Sequence, residues 1–401
     1  MILDSDGSEI DWHVGYGPPP EKFLERLEKT VNGVNTFKSL SEAYAKEPNN
    51  VKTITELAKK YDSRYKQDKS LELYKKVITL DPEGRMGTTD YMDEKVPCTE
   101  YAEFSIGRLG IYSMGGKRDP GQMKAFIEKY PESKLLKNAY SYTGMYYRSG
   151  GTKEEAREFF EEYTAKYPDD PGALSAYVSR IIRDKDNLDR GIELGEKIKD
   201  LLKYNPNPRY MKDLAQLYIL KGDVKKADDI YGKSFMEGQV SSLAYNLLDY
   251  ANLWSKEEKN QESVEEMMDI SVMLKPDSTY VLQSAARVFL KLDKLDKAKK
   301  IFGPDFAAEN QDDASALSMY ARFWSNEGEN LKDALKAAEK AVEMAPAYYN
   351  WDILASVHLK LKNYDKAIKA EEKAIELAGD RADRYKSKLE QIKKAKEKEK
   401  K

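Results

Sequence analysis

The stretch KNAYSYTGMYYRSGGTKEEAREFFEEYTAKYP, residues 137–168, decides the fold. Gly144 is followed three residues later by Tyr147, Ala156 comes nine after that, Phe160 four further on, and Pro168 closes the run. Spacings of three and four place side chains on one face of a helix. The stretch therefore predicts two helices that touch through small residues, with rings plugging the gap and proline preventing continuation. Ala58, Tyr61, Ser70, Tyr74 and Pro82 repeat the pattern, as do Ala286, Phe289, Ala298 and Phe302. A period of about 34 residues predicts a helix-turn-helix solenoid, an architecture that binds rather than catalyses.

Stacked copies extend this reading. Residues 51–82, 101–131, 137–168, 172–206, 208–238, 244–276, 279–310, 314–346 and 348–379 each hold one. The second keeps Gly107 and Pro131 but has a shortened second helix. Ala215 and Ala227 let their helices approach, and Tyr218 and Tyr231 fill the space against the next pair. The last copy matches through Trp351, Leu354, Ala355, Ala367 and Ala374. These positions resemble the tetratricopeptide repeat (TPR). The resemblance implies an all-α, TPR-type α-α superhelix, a right-handed solenoid of about eight or nine repeats over residues 35–379. Residues 380–401 are expected to add a capping helix, with Tyr385, Leu389 and Ile392 on its apolar face, and a Lys/Glu-rich tail, Lys393–Lys401, that frays into solvent. The Gly- and Thr-rich segment from Pro82 to Tyr101 reads as a long connecting loop.

The first 32 residues break the period. Met1–Asp4 reads as a strand, Ser5-Asp6-Gly7 as a turn, and Glu9–Tyr16 as a second strand with Ile10, Trp12, Val14 and Tyr16 on one face. Glu21–Val31 follows as a helix buried through Phe23, Leu24 and Leu27. The wording ILDSDGSEIDWHVGYGPPPEKFLERLEK resembles the carboxyl-terminal third of a thioredoxin-like domain, through Leu3-Asp4, Asp6-Gly7, Gly15-Tyr16 and Phe23–Leu27. That resemblance implies a bacterial, periplasmic or secreted thiol-disulfide oxidoreductase with a TPR tail that recruits substrates. The family's Cys-x-x-Cys is absent here, and Cys98 has no second cysteine to resolve it. Either the piece is what remains of a longer protein, or it docks on the first repeats. Its hairpin edge also offers a route to self-association.

Composition narrows the function further. A net charge of −3 gives no bulk attraction to nucleic acid. No apolar run approaches the ~18 residues of a membrane span, and no signal peptide follows Met1. Two histidines and one cysteine argue against a catalytic, metal or cofactor site. His358 fits the aromatic slot of its repeat, and His13 has no second histidine near it. Asp184-Lys185-Asp186-Asn187 lacks the register of a calcium loop, and neither Gly15-Tyr16-Gly17 nor Gly115-Gly116-Lys117 has the frame of a phosphate cradle.

The position after each packing residue is expected to face the concave groove. Read through the copies it gives Met145, Arg180, Gln216, Asn252, Arg287, Arg322 and Ser356, with Tyr142, Tyr177, Tyr245 and Tyr280 within a turn. One reading is a ladder for a peptide or protein partner, with arginines on carboxylates and tyrosines stacking. The other is a solvated face whose polar residues pair with neighbouring helices. Asn252 lacks the lysine four residues earlier that a carboxylate clamp for chaperone tails would need, since Leu248 stands there. A non-enzymatic interaction scaffold is the leading expectation. A thioredoxin-like enzyme's carboxyl-terminal part is the alternative.

Overall fold

The computed structural model describes residues 1–13, 20–92, 94–112, 118–239, 244–303 and 306–399. They gather into two compact units, Met1–Pro206 and Asn207–Lys401.

The first unit opens with a hairpin of β1 (Ile2–Leu3) and β2 (Glu9–Asp11), turned through Asp4–Gly7 with Gly7 at φ +83°. Helices α1 (Pro20–Val31) and α2 (Phe37–Lys46) follow. Four antiparallel pairs come next: α3 (Val51–Ser63) with α4 (Gln67–Leu80), α5 (Cys98–Ile111) with α6 (Gly121–Lys129), α7 (Leu136–Tyr147) with α8 (Lys153–Lys166), and α9 (Pro171–Asp184) with α10 (Leu188–Leu201). Between the first two pairs lies a second hairpin, β3 (Thr88–Tyr91) with β4 (Glu94–Pro97).

Several helices begin where a side chain satisfies their first N–H groups. Thr152 and Glu155 exchange side chain–backbone bonds of 3.1 and 2.8 Å ahead of α8. Asp170 accepts from Gly172 and Ala173 while Pro171 presets the first turn of α9. Packing follows the small-residue positions. A Cβ on Gly144 would lie 3.5–3.6 Å from the Tyr163 and Phe160 rings, an ordinary contact. At Gly107 it would lie 2.9 Å from the Met123 backbone, so α5 and α6 meet there almost backbone to backbone.

The second unit holds five further pairs and a cap. They are α11 (Pro208–Leu220) with α12 (Val224–Tyr231) and the short α13 (Lys233–Glu237), and α14 (Ala244–Trp254) with α15 (Gln261–Leu274). Next come α16 (Thr279–Lys291) with α17 (Leu295–Lys300) and the short α18 (Phe306–Glu309), α19 (Ala314–Glu327) with α20 (Leu331–Met344), α21 (Tyr348–Lys360) with α22 (Tyr364–Ala378), and finally α23 (Ala382–Glu399). Ala334, Ala337, Ala338 and Ala341 bury one face of α20, and Ala367, Ala370 and Ala374 one face of α22. Gly232 interrupts the chain after α12 in an extended conformation. The Tyr231 carbonyl freed there accepts from the buried Trp254 indole at 2.8 Å. The fold is thus all-α and of TPR type, with nine helix pairs among the described residues.

Four expectations need correction. The segment from Pro82 to Tyr101 is not a loop. Thr89 and Val96 face each other across the β3–β4 hairpin and are both buried, so alternate residues point inward as in any half-buried ribbon. On α1 the buried residue is Thr30, whereas Leu24 is exposed and Phe23 and Leu27 are half-buried. The buried residue of β2 is Asp11, not its neighbours Ile10 and Trp12, while Val14 to Tyr16 lie outside the described residues. The tail remains helical to Glu399, held by Lys396 on Asp365 and by Lys362 on Glu399 at 3.1 Å.

The amino-terminal hairpin docks on the repeats. Buried Arg64, at the end of α3, donates to Glu9 at 2.6 Å and to Asp11 at 2.8 Å while its guanidinium lies over the Phe37 ring. Lys60 also binds Asp11. Burial pushes the Asp11 carboxyl up, but Lys60, Arg64 and the Trp12 N–H together hold it below the usual carboxylate range. Gly107→Ala should force α5 and α6 apart and lower stability by about 1–3 kcal/mol, read as a reduced urea midpoint with an unchanged slope.

Candidate protein-binding surface

The expected groove row divides between the two units. In the first, Met145 is exposed, and its sulfur lies 3.5 Å from the Tyr112 hydroxyl. Tyr142 packs edge-on against Phe104 and Tyr112. Tyr177 is buried, stacked on Phe160 at 5.3 Å, and donates its hydroxyl to Glu161 at 3.0 Å. Burial, with Glu161 beside it, pushes that phenol up to about 12.

Arg180 is only 5 % exposed and does not face a groove. Its guanidinium donates to the carbonyls of Tyr147 and Gly150 at 2.5 Å, Thr152 at 3.2 Å and Gly151 at 3.4 Å, and Nε pairs with Asp184 at 2.5 Å. The end of α7 leaves carbonyls without helical partners, and Arg180 reaches back from α9 to supply donors. Arg180 and Tyr177 are thus corrected from partner contacts to internal ties. Each is consumed by the packing of its own pair on the one before.

The second unit keeps its row accessible. Gln216 is half-buried on α11, and Asn252 is exposed on α14, accepting from Lys291 at 3.2 Å. Arg287 on α16 lies over the Phe323 ring and pairs with Glu327 at 2.8 Å. Tyr245 and Tyr280 are exposed, with ring centroids 5.9 Å apart. Two lysines one turn from row positions were missed, Lys256 and Lys291. The missed signal is the i+4 spacing from Asn252 and Arg287, which returns to the same helix face. Burial, then the nearby Lys256 and Arg287 charges, push the Lys291 ammonium below its ordinary value, and Glu327 offsets this in part.

Arg322 lines a cleft of about 490 Å³ together with Tyr348, Tyr349, Asp352, Ser356 and Arg384. Lys388 of α23 binds the Asp352 carboxylate at 2.5 Å, the Asp352 carbonyl at 2.7 Å and the Ser356 hydroxyl at 2.6 Å. The same ammonium stands 3.4 Å from Glu371, which is fully buried on α22 with no hydrogen bond to either carboxylate oxygen. Burial raises the Glu371 carboxyl to about 7; Lys388 pulls it back and Asp352 adds to the rise.

The remaining chemistry-bearing groups are placed as follows. Cys98 is buried at the start of α5, and burial pushes its thiol up, which disfavours the reactive thiolate. His358 is buried, and burial pushes its imidazole down. His13 contacts Thr30 at 2.9 Å. Among the described residues no helix is long and apolar enough to cross a membrane. Gly15-Tyr16-Gly17 and Gly115-Gly116-Lys117 lie outside the described residues.

Residues 173–387 match the model of the ChAPs (Chs5p-Arf1p-binding proteins) family, a span of 215 residues in a chain of 401. The chain belongs to the ChAPs family. Residues 138–170 also match the tetratricopeptide repeat model, and neither match reaches residues 1–32. Similar solved structures include a tetratricopeptide repeat protein from Parabacteroides merdae ATCC 43184, at 15% identity and TM-score 0.36, covering 59% of this chain and 90% of that one. Yeast Tom70 aligns at 14% identity and TM-score 0.35 over 94% of this chain and 88% of its own. Naa15/Naa10 bound to HypK-THB aligns at 13% identity and TM-score 0.35, over 94% and 71%. No curated protein matches the chain. As a ChAPs member built from TPR-type pairs, the chain is a protein-interaction scaffold.

Two outcomes follow from this chemistry. Arg180→Ala removes the donors to the buried Tyr147 carbonyl and to the part-buried carbonyls of the following turn and should cost about 3 kcal/mol in urea unfolding, with far-UV circular dichroism of the folded state retained. Glu371 has a folded-state pKa above its unfolded value, so its contribution is fully present below about pH 4.5 and is lost as pH rises through about 7. Glu371→Gln should remove that loss. The urea midpoint of the variant should exceed that of the unaltered chain by a margin that grows from about pH 5 to 8.

Proposed function

We propose that the second unit receives an extended acidic segment of a protein partner along its inner helices. The observation that carries this reading is a surplus of positive charge. Burial first, and then the neighbouring Lys256 and Arg287 charges, depress the Lys291 ammonium, and Glu327, paired with Arg287, is the carboxylate that opposes them there. Like charges held side by side cost free energy in the empty protein, and an acidic occupant would relieve that cost. The exposed Tyr245–Tyr280 ring pair adds rigid, amphipathic area on α14 and α16, the second of which also carries Arg287 and Lys291. The family takes its name from proteins that bind Chs5p and Arf1p, which supports a folded or peptide protein partner rather than a small molecule.

The test uses the full chain and a fluorescein-labelled, glutamate-rich peptide followed by anisotropy. Binding should weaken about tenfold or more in the double charge reversal R287E/K291E and should fall as salt is raised. Equal affinity of the unaltered chain and the double variant would refute the reading.

A further inference from the structure

We infer that the cleft between α19, α21 and α23 is a carboxylate-receiving pocket, in which Arg322 and Arg384 together take an acidic side chain of the partner segment. The inference rests on the reading of the second unit as a receiving surface and names a particular site within it.

The argument is an account of charges. Arg322, from α19, and Arg384, from α23, line the same cleft, both exposed, and neither has a hydrogen bond or ion pair among the described residues. Other cations of this corner are already engaged. Arg381 donates to the Tyr348 hydroxyl at 2.5 Å, and Lys388 is held by Asp352 and Ser356. The one carboxylate that lines the cleft, Asp352, is therefore answered by Lys388 from within the wall. That leaves two guanidiniums without a counter-charge in a cleft of about 490 Å³, beside Ser325, Asn326 and the Tyr349 ring. A planar carboxylate matches guanidinium donors in geometry as well as charge. The source is a side chain rather than a chain terminus, because the cations proposed to receive the segment are spread over α16, α19 and the cap helix α23. Lys256, Lys291, Arg322 and Arg384 call for several carboxylates in one segment, and a terminus supplies one.

The pocket has a mechanical side. Arg384 belongs to the cap helix and Arg322 to a repeat, so an anion between them ties α23 to the body of the unit. Occupancy should therefore slow amide exchange in α23.

The experiment measures an N-acetylated, C-amidated, fluorescein-labelled octaglutamate on the full chain, by anisotropy and by hydrogen exchange. Arg322→Ala and Arg384→Ala should each weaken binding about tenfold, R322E/R384E should abolish it, and saturating peptide should protect α23 in the unaltered chain. Arg209→Ala, an exposed arginine outside the cleft, should change nothing. Undiminished binding by R322E/R384E overturns the pocket; if R287E/K291E still loses the peptide, the receiving-surface reading stands without it. Dependence on the two arginines seen only for a peptide with a free carboxyl terminus overturns the side-chain source. No binding by the unaltered chain overturns both.

Discussion

Everything in this protein depends on how closely the two helices of a pair can approach. At Gly107 the limit is reached, with the facing backbone where a side chain would start. Elsewhere alanine sets the spacing, as along α20 and α22. Close approach leaves wedge-shaped gaps toward the neighbouring pair, and rings fill them. Tyr177 on Phe160 and the clusters around Tyr140 and Phe302 are examples. A protein so built has little isolated core per repeat, and each pair completes its burial against the next. The tyrosine richness follows from the same constraint, since a ring can fill a gap while its hydroxyl reaches a carboxylate or the surface.

The pairs were legible in sequence because the small–aromatic spacing reports directly on that approach. The succession of helices could be read well beyond the amino-terminal segment. Features made of few residues, or decided by partners far along the chain, could not. Four residues of alternation around Thr89 are too few to stand out among glycines and prolines, yet they suffice once Val96 sits opposite. The buried side of β2 was misread because Asp11 is polar. Nothing local announces that Arg64 and Lys60, some fifty positions later, will neutralise it.

The candidate surface shows the same division. Position counting placed Asn252, Arg287 and Arg322 on an accessible face, since an inner helix presents the same side in each repeat. It failed at Arg180, because the turn at Gly150–Gly151 offers carbonyls that capture a long cationic side chain, and an arginine follows available acceptors rather than helical phase. It overlooked Lys256, Lys291 and Arg384, which take their meaning from one another rather than from their own repeat. The cap helix is the clearest case. Its amphipathic pattern announces a cover for the last pair, whereas the structure shows it also contributing side chains to a cleft.

The junction at Arg180 has a consequence for how such an array can change over evolutionary time. Tandem repeats are often pictured as beads that may be duplicated or deleted singly. Here one guanidinium from the fourth pair completes the backbone of the third, so removing either alone orphans polar groups in the survivor. Recombination across that seam would be selected against, and residues 136–201 should be inherited as a single indivisible block.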